Sequence, residues 1–187
     1  MTNGLIRNGH CVWDFSYRDT AHHLAPLGFG KKLGTQRMND YLLAVARQFN
    51  PDLILLGHCE LLMPTTLAAL KDCLPTCKIA QWWVDLFPKH KLPHLRAKQP
   101  YLDAFFATMA PEYYSPLIAV TQSPPLYYLP NIVDSSIETG RAFAAKQHNY
   151  DVFFIGSNAL ERKNILQCWK IFLMYAVGFS VLATIHY

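Results

Sequence analysis

Three short stretches hold side chains of the right types and spacing to do chemistry. The first is "GHCE", Gly57 to Glu60, directly after an apolar run. His58 or Glu60 could take a proton from a substrate hydroxyl, because a cleft can tune either group toward neutrality. The bland alternative is a strand end carrying a solvated carboxylate. The second stretch is "QWWVD", ending at Asp85. Sugar rings have apolar faces that pack on indoles such as Trp82 and Trp83, and a carboxylate accepts paired hydroxyl hydrogen bonds. Strand side chains alternate in direction, so one of the two tryptophans faces inward in any case. The third is "YDVFFIGSNALERK", from Tyr150. Val152 to Ile155 read as a buried parallel strand, Gly156 as its break, and Ser157 or Asn158 as the cap of a helix. Backbone N–H groups at such a helix start favour an anion, and Arg162 stands in its first turn. Any strand-to-helix turn needs a similar glycine.

Those residues need a scaffold. Asn8-Gly9 follows Leu5 and Ile6 as a helix stop, and "HCVWDF" then alternates apolar and polar as a strand does. Residues 16–33, with Pro26 and neighbouring turn formers, read as an irregular loop. From Thr35, apolar residues Met38, Leu42, Val45, Ala46 and Phe49 recur at helical spacing up to Asn50-Pro51. "DLILLGH", "KIAQWW", "LDAFFAT" and "PLYYLPN" read as strands, with "TTLAALKDCL" and "APEYYSPLI" as short helices between them. Residues 134–149 read as a polar, partly helical connector. Strands alternating with short helices predict an α/β fold: a Rossmann-like open parallel sheet with helices on both faces.

The 187 residues are 51% hydrophobic, enough to build a core, and the net charge is only +4. That balance does not point to nucleic acid, whose binders carry a strong basic face. The stretch "PKHKLPHLRAK" gathers Lys89, Lys91, Arg96 and Lys98 beside His90 and His94. It could meet a phosphate-bearing acceptor or an anionic lipid head group, or be a solvated loop and helix face. The five cysteines, Cys11, Cys59, Cys73, Cys77 and Cys168, lack framework spacing and read as reduced thiols in a cytoplasmic protein. Cys73 and Cys77 lie four apart and could join His58 and Cys59 around zinc, but that first pair is adjacent, unlike the close pairs of strong zinc patterns, so no metal is expected and the thiols read as small buried hydrophobes. Residues 171–185 carry no charge. A short C-terminal anchor, a buried strand and non-native sequence from a damaged reading frame are the three readings of that tail.

Taken in order, "FNPDLILLGH", "KIAQWWVD", "YLDAFFAT", "YLPNIVD" and "YDVFFIGSNALER" resemble bacterial glycosyltransferases of the GT-B fold, in the family-1-like and spore-maturation-protein-like group. The resemblance covers residues 1 to about 166. It implies two Rossmann-like domains facing a cleft, with an acceptor in the first and a nucleotide-sugar donor in the second. Residues 1–134 would be the acceptor-side domain without its first strand, 135–149 a connector, and 150–187 an incomplete start of the donor-side domain. Asp85, His58 and Glu60 are then the catalytic candidates, and Trp82, Trp83, Asn131 and Asp134 the substrate-binding ones. Asn131 and Asp134 could equally be turn chemistry closing a strand. Gly156, Ser157, Asn158 and Arg162 would face the donor phosphates. The nucleotide-sugar is a substrate, so no separate cofactor is implied. Sugar transfer to a sugar or lipid-linked acceptor is the implied activity, with little or no turnover from so short a donor side. The reading from a different class is a non-catalytic α/β module that meets a partner or bilayer through an open sheet edge and the apolar tail, with self-association or peripheral membrane contact as its outcome.

Overall fold

The computed structural model describes residues 2–26, 30–85, 87, 89–114, 117, 123–134, 136, 141–144, 146, 152–157 and 181–186. The chain divides into two compact units, Met1–Asp134 and Ser135–Tyr187.

The first unit is an α/β fold built on a four-stranded parallel sheet. Its strands are β1 (Leu53–Leu56), β2 (Lys78–Trp83), β3 (Ala104–Ala107) and β4 (Leu126–Tyr128), in that spatial order. The register pairs Leu53 with Lys78, Ala80 with Ala104, and Phe105 with Leu126. Parallel neighbours require crossovers. Helix α4 (Pro64–Cys73) connects β1 to β2, and α5 (Leu92–Lys98) lies between β2 and β3. The longest helix, α3 (Gly30–Phe49), leads into β1. This is the Rossmann-like open sheet flanked by helices that the strand–helix alternation predicts. Its core joins Leu56, Leu67, Leu70, Ile79, Trp83, Leu95, Phe105 and Leu117, all at most 4% exposed. At the N-terminal end of the sheet, the Asp103 carboxylate accepts from the Ile79 N–H at 2.8 Å and pairs with Lys71. Burial raises that carboxyl, and the Lys71 and Ile79 bonds outweigh it and leave its pKa lowered.

Helix α1 (Thr2–Arg7) ends where Asn8-Gly9 predicts, with Gly9 at φ 85° in the left-handed region. Three expectations fail in this unit's first half and at its tail. "HCVWDF" forms no strand: residues 10–16 are irregular. Alternation qualifies a stretch for a sheet, but a strand exists only where a neighbour takes its backbone hydrogen bonds. Here the side chains turn to α3 instead, Trp13 edge-on to Phe49 at 6.0 Å and Phe15 beside Tyr41 at 6.1 Å. Residues 16–33 are not one loop. They hold α2 (Tyr17–His23), and α3 starts at Gly30 rather than Thr35. Pro26 lies beyond the end of α2, so it breaks nothing inside it. Asp19 in the first turn and His22 and His23 in the last suit the helix dipole. Buried Ala21 sits on Gly34, where a methyl group would overlap the Ala21 carbonyl. "APEYYSPLI" opens as a 3-10 turn at Pro111–Tyr113 rather than an α-helix.

In the second unit, β5 (Val152–Ser157) pairs in parallel with β6 (Val181–His186). Gly156 does not break the strand: Gly156 and Ser157 stay in the ladder, opposite Ile185 and His186. The parallel neighbour extends the pairing past the glycine through Ser157, and the helix expected after it lies outside the described residues. Residues 181–185 of the uncharged tail are therefore strand, while the rest of that tail lies outside the described residues. A 3-10 turn spans Arg141–Ala144 in the connector. No helix among the described residues is long and apolar enough to cross a membrane.

Among the described residues, β1 has a strand neighbour on one side only. Beside its other side runs an apolar groove of about 930 Å³, lined by Trp13, Phe15, Leu42, Phe49, Leu53 and Leu55 among others.

Candidate functional site

Ligands of open α/β sheets sit outside the carboxyl ends of the strands. At that end, β1 and β2 release the loops that carry the catalytic candidates. Gln81 of β2 is fully buried and donates its amide to the carbonyls of Leu56 and Gly57. That bond stitches the exit of β1 to β2. The Trp83 carbonyl accepts from the Thr108 N–H at 3.1 Å, and the Thr108 hydroxyl donates to the Val84 carbonyl at 2.8 Å. The exit of β2 is thereby fixed one residue before Asp85.

His58 and Asp85 meet across these two exits. Nε2 of His58 is 3.5 Å from the Asp85 carboxylate, an ion-pair separation slightly longer than a formed hydrogen bond. The imidazole also lies on the Trp83 ring, with centroids 4.3 Å apart. His58 is mostly covered and Asp85 is 71% exposed, so the pair opens to solvent on its carboxylate side. An imidazole oriented by a carboxylate is the arrangement a general base needs.

Glu60 takes a different part. Its Oε2 accepts from the Tyr17 hydroxyl at 2.6 Å and from Arg18 at 2.8 Å, and its Oε1 accepts from Lys91 at 2.8 Å. Arg18 Nε donates in turn to the Tyr17 oxygen at 2.8 Å. Burial raises the Glu60 carboxyl, but the bonds from Lys91, Tyr17 and Arg18 outweigh it and hold the group well below the usual carboxylate range. Burial and the Glu60 anion push the Tyr17 phenol up to about 12. A carboxylate satisfied by three donors is a weak base, so Glu60 braces the site rather than accepting protons. The folded state holds its proton less readily than the unfolded chain, so unfolding takes a proton up and stability rises with pH through this range. The contribution is complete above the ordinary value of 4.5 and is lost as pH drops through the depressed folded value. Glu60→Gln is expected to melt below the parent near neutrality, with a gap that narrows continuously as the pH goes under 4.5. A gap independent of pH in parallel thermal melts would remove the ion cluster from the explanation.

Trp83 and Trp82 divide as strand alternation requires, but Trp83 does not serve as a sugar platform. It is 1% exposed, and its surroundings include His58, Phe87 at 6.3 Å and the Lys91 ammonium 5.7 Å from its centroid. It is the floor under His58. Trp82 is half-buried, and its Nε1 is enclosed with no partner among the described residues. Asn131 is exposed beyond β4, and Asp134 pairs with Arg7 at 2.8 Å. Gly156 and Ser157 belong to β5, while Asn158 and Arg162 lie outside the described residues.

The basic stretch is not a uniform solvated face. Lys89 and His90 are exposed, but Lys91 binds Glu60 and Lys98 is 1% exposed. The spacing of Leu92, Leu95 and Lys98 puts Lys98 on the apolar side of α5, a signal the charge count hides. Tyr17, Arg18 and Thr108 carry no local signal at all. They join the site only through contacts 24 to 43 residues away in the chain. Among the described residues no group of three or more His, Cys, Asp or Glu side chains could hold a metal ion.

No family model and no curated protein matches this chain. Among solved structures, the dehydroquinate dehydratase and shikimate dehydrogenase AroM from S. pombe is a distant neighbour, 13% identical with a TM-score of 0.35. The alignment covers 80% of this chain and 36% of that one, so the chain spans about a third of that protein's length.

Proposed function

We propose that the first unit is the acceptor side of a glycosyl-transfer site, with His58 as the base. The observation that carries this reading is the His58–Asp85 pair seated on Trp83 where two parallel strands end. With Nε2 turned to Asp85, Nδ1 is the nitrogen that takes the acceptor's hydroxyl proton. The freed oxygen attacks the anomeric carbon of a nucleotide-sugar. The bond from that carbon to the diphosphate breaks, and the nucleoside diphosphate leaves with the electron pair. Asp85 keeps the imidazole in the tautomer that can accept a proton and stabilises the imidazolium that results. The ordered resemblance to GT-B glycosyltransferases supports sugar as the group transferred.

Purified protein with a labelled nucleotide-sugar and simple sugar acceptors tests the reading. Little or no transfer is expected, and any transfer seen should fall by about two to four orders of magnitude in His58→Gln, the usual worth of a general base. Transfer that His58→Gln and Asp85→Asn leave untouched would refute it.

A further inference from the structure

The Lys98 side chain is 1% exposed, yet it ends in a charge. A buried ammonium is costly unless paired, and an apolar side chain of similar volume is often the more stable choice. Among the described residues Lys98 makes no ion pair with a carboxylate. Its Nζ donates instead to the Cys59 carbonyl at 2.5 Å. That carbonyl also accepts from the Leu62 N–H at 3.1 Å, closing the turn after β1. Cys59 itself sits at φ 43°, a left-handed conformation that a side chain other than glycine adopts only when its surroundings impose it. His58 is the residue immediately before it.

We propose that Lys98 is a positioning residue for His58: by gripping the Cys59 carbonyl it holds the left-handed turn that lays the imidazole on Trp83 and aims it at Asp85. The inference rests on the reading of His58 as the base. The charge strengthens the grip, since an ammonium donates about twice as strongly as a neutral amine. It also makes the grip titratable. Burial lowers the Lys98 pKa to about 8, against the opposing pull of Cys59 and Glu60. The groups facing it are few. Burial pushes the Cys59 thiol up, and burial with the nearby Lys98 charge lowers the half-buried His94. Glu60 is already ionised through this range, and its own cluster fixes it.

The test watches the His58 imidazole by NMR, whose carbon-bound protons feel the Trp83 ring current. In the parent protein those signals should move with a midpoint near pH 8, and Cys59→Ala should retain such a midpoint, displaced downward. Lys98→Met, which replaces the charge with an apolar chain of similar length, should abolish the midpoint and displace the signals at every pH. It should also lower kcat about tenfold or more while leaving KM unchanged. Unmoved His58 signals in Lys98→Met overturn the proposal whatever the turnover. If that variant does not fold, the absence of a midpoint near pH 8 in the parent overturns it instead. Displaced signals together with transfer that is indifferent to His58 would uphold the positioning and sink the glycosyl-transfer reading alone.

Discussion

Asn39→Ala is expected to destabilise the first unit by about 3 to 5 kcal/mol, a large share of the roughly 5 to 15 kcal/mol typical of a folded domain. Asn39 stands in the middle of α3 and is 1% exposed. Its amide donates to the Thr35 carbonyl at 2.8 Å and to the Leu61 carbonyl at 2.9 Å. Its carbonyl accepts from the Met63 N–H at 3.0 Å and the Thr66 hydroxyl at 2.7 Å. Met63 holds the N-cap position of α4 and lacks a side-chain cap of its own, while Pro64 follows at the start of the helix. One side chain thus joins three pieces: α3, the end of the site loop at Leu61, and the start of α4. Truncation leaves several buried groups without partners, each costing about 1 to 3 kcal/mol, though not additively. Asn39→Asp is not a gentle change either, because a carboxylate would face two carbonyls with no hydrogen to give. Urea unfolding followed by circular dichroism reads both variants. A loss under about 1 kcal/mol for Asn39→Ala would mean that water or local rearrangement replaces the bonds.

Trp83→Ala should rival it, at about 3 to 5 kcal/mol, the usual range for emptying a large aromatic site in a core. Trp83 heads the largest side chains that are fully enclosed, and it packs in one cluster with Leu95, Phe105 and Leu117. The substitution also removes the surface on which His58 rests and the ring beneath Lys91. Trp83→Phe keeps part of that surface and should lose clearly less. The two effects separate in a double-mutant cycle with His58→Gln. Stability losses that simply add would show that the tryptophan fills space without supporting the imidazole, whereas coupling of about 0.5 to 1.5 kcal/mol is expected for rings in contact.

The sheet was legible because its strands announce themselves. Leu53–Leu56, Lys78–Trp83 and Ala104–Ala107 are short, mostly apolar runs closed by turn residues, and a largely buried parallel strand such as Lys78–Trp83 needs little else. His58 and Asp85 were legible for the same reason, since both follow a strand's carboxyl end directly. The failures share a cause as well. "HCVWDF" satisfies every local condition for a strand, and only the missing neighbour denies it. The α2 segment has the composition of a loop, and only its burial of Ala21 on Gly34 makes it a helix worth forming. Glu60 looked like a base because its three donors come from α2 and from the turn before α5, none adjacent in sequence. Trp83 looked like a sugar platform until its neighbours filled the space around it. Local chemistry nominates residues; distant packing decides which of them keep a free face.

The flank of β1 that has no strand neighbour among the described residues has a consequence for association. Among the described residues its outer edge has no strand partner, and the groove beside it is lined largely by apolar side chains, so that edge is a place where a second extended chain could pair. An edge of this kind ties the behaviour of the folded molecule to its own concentration as well as to its melting point.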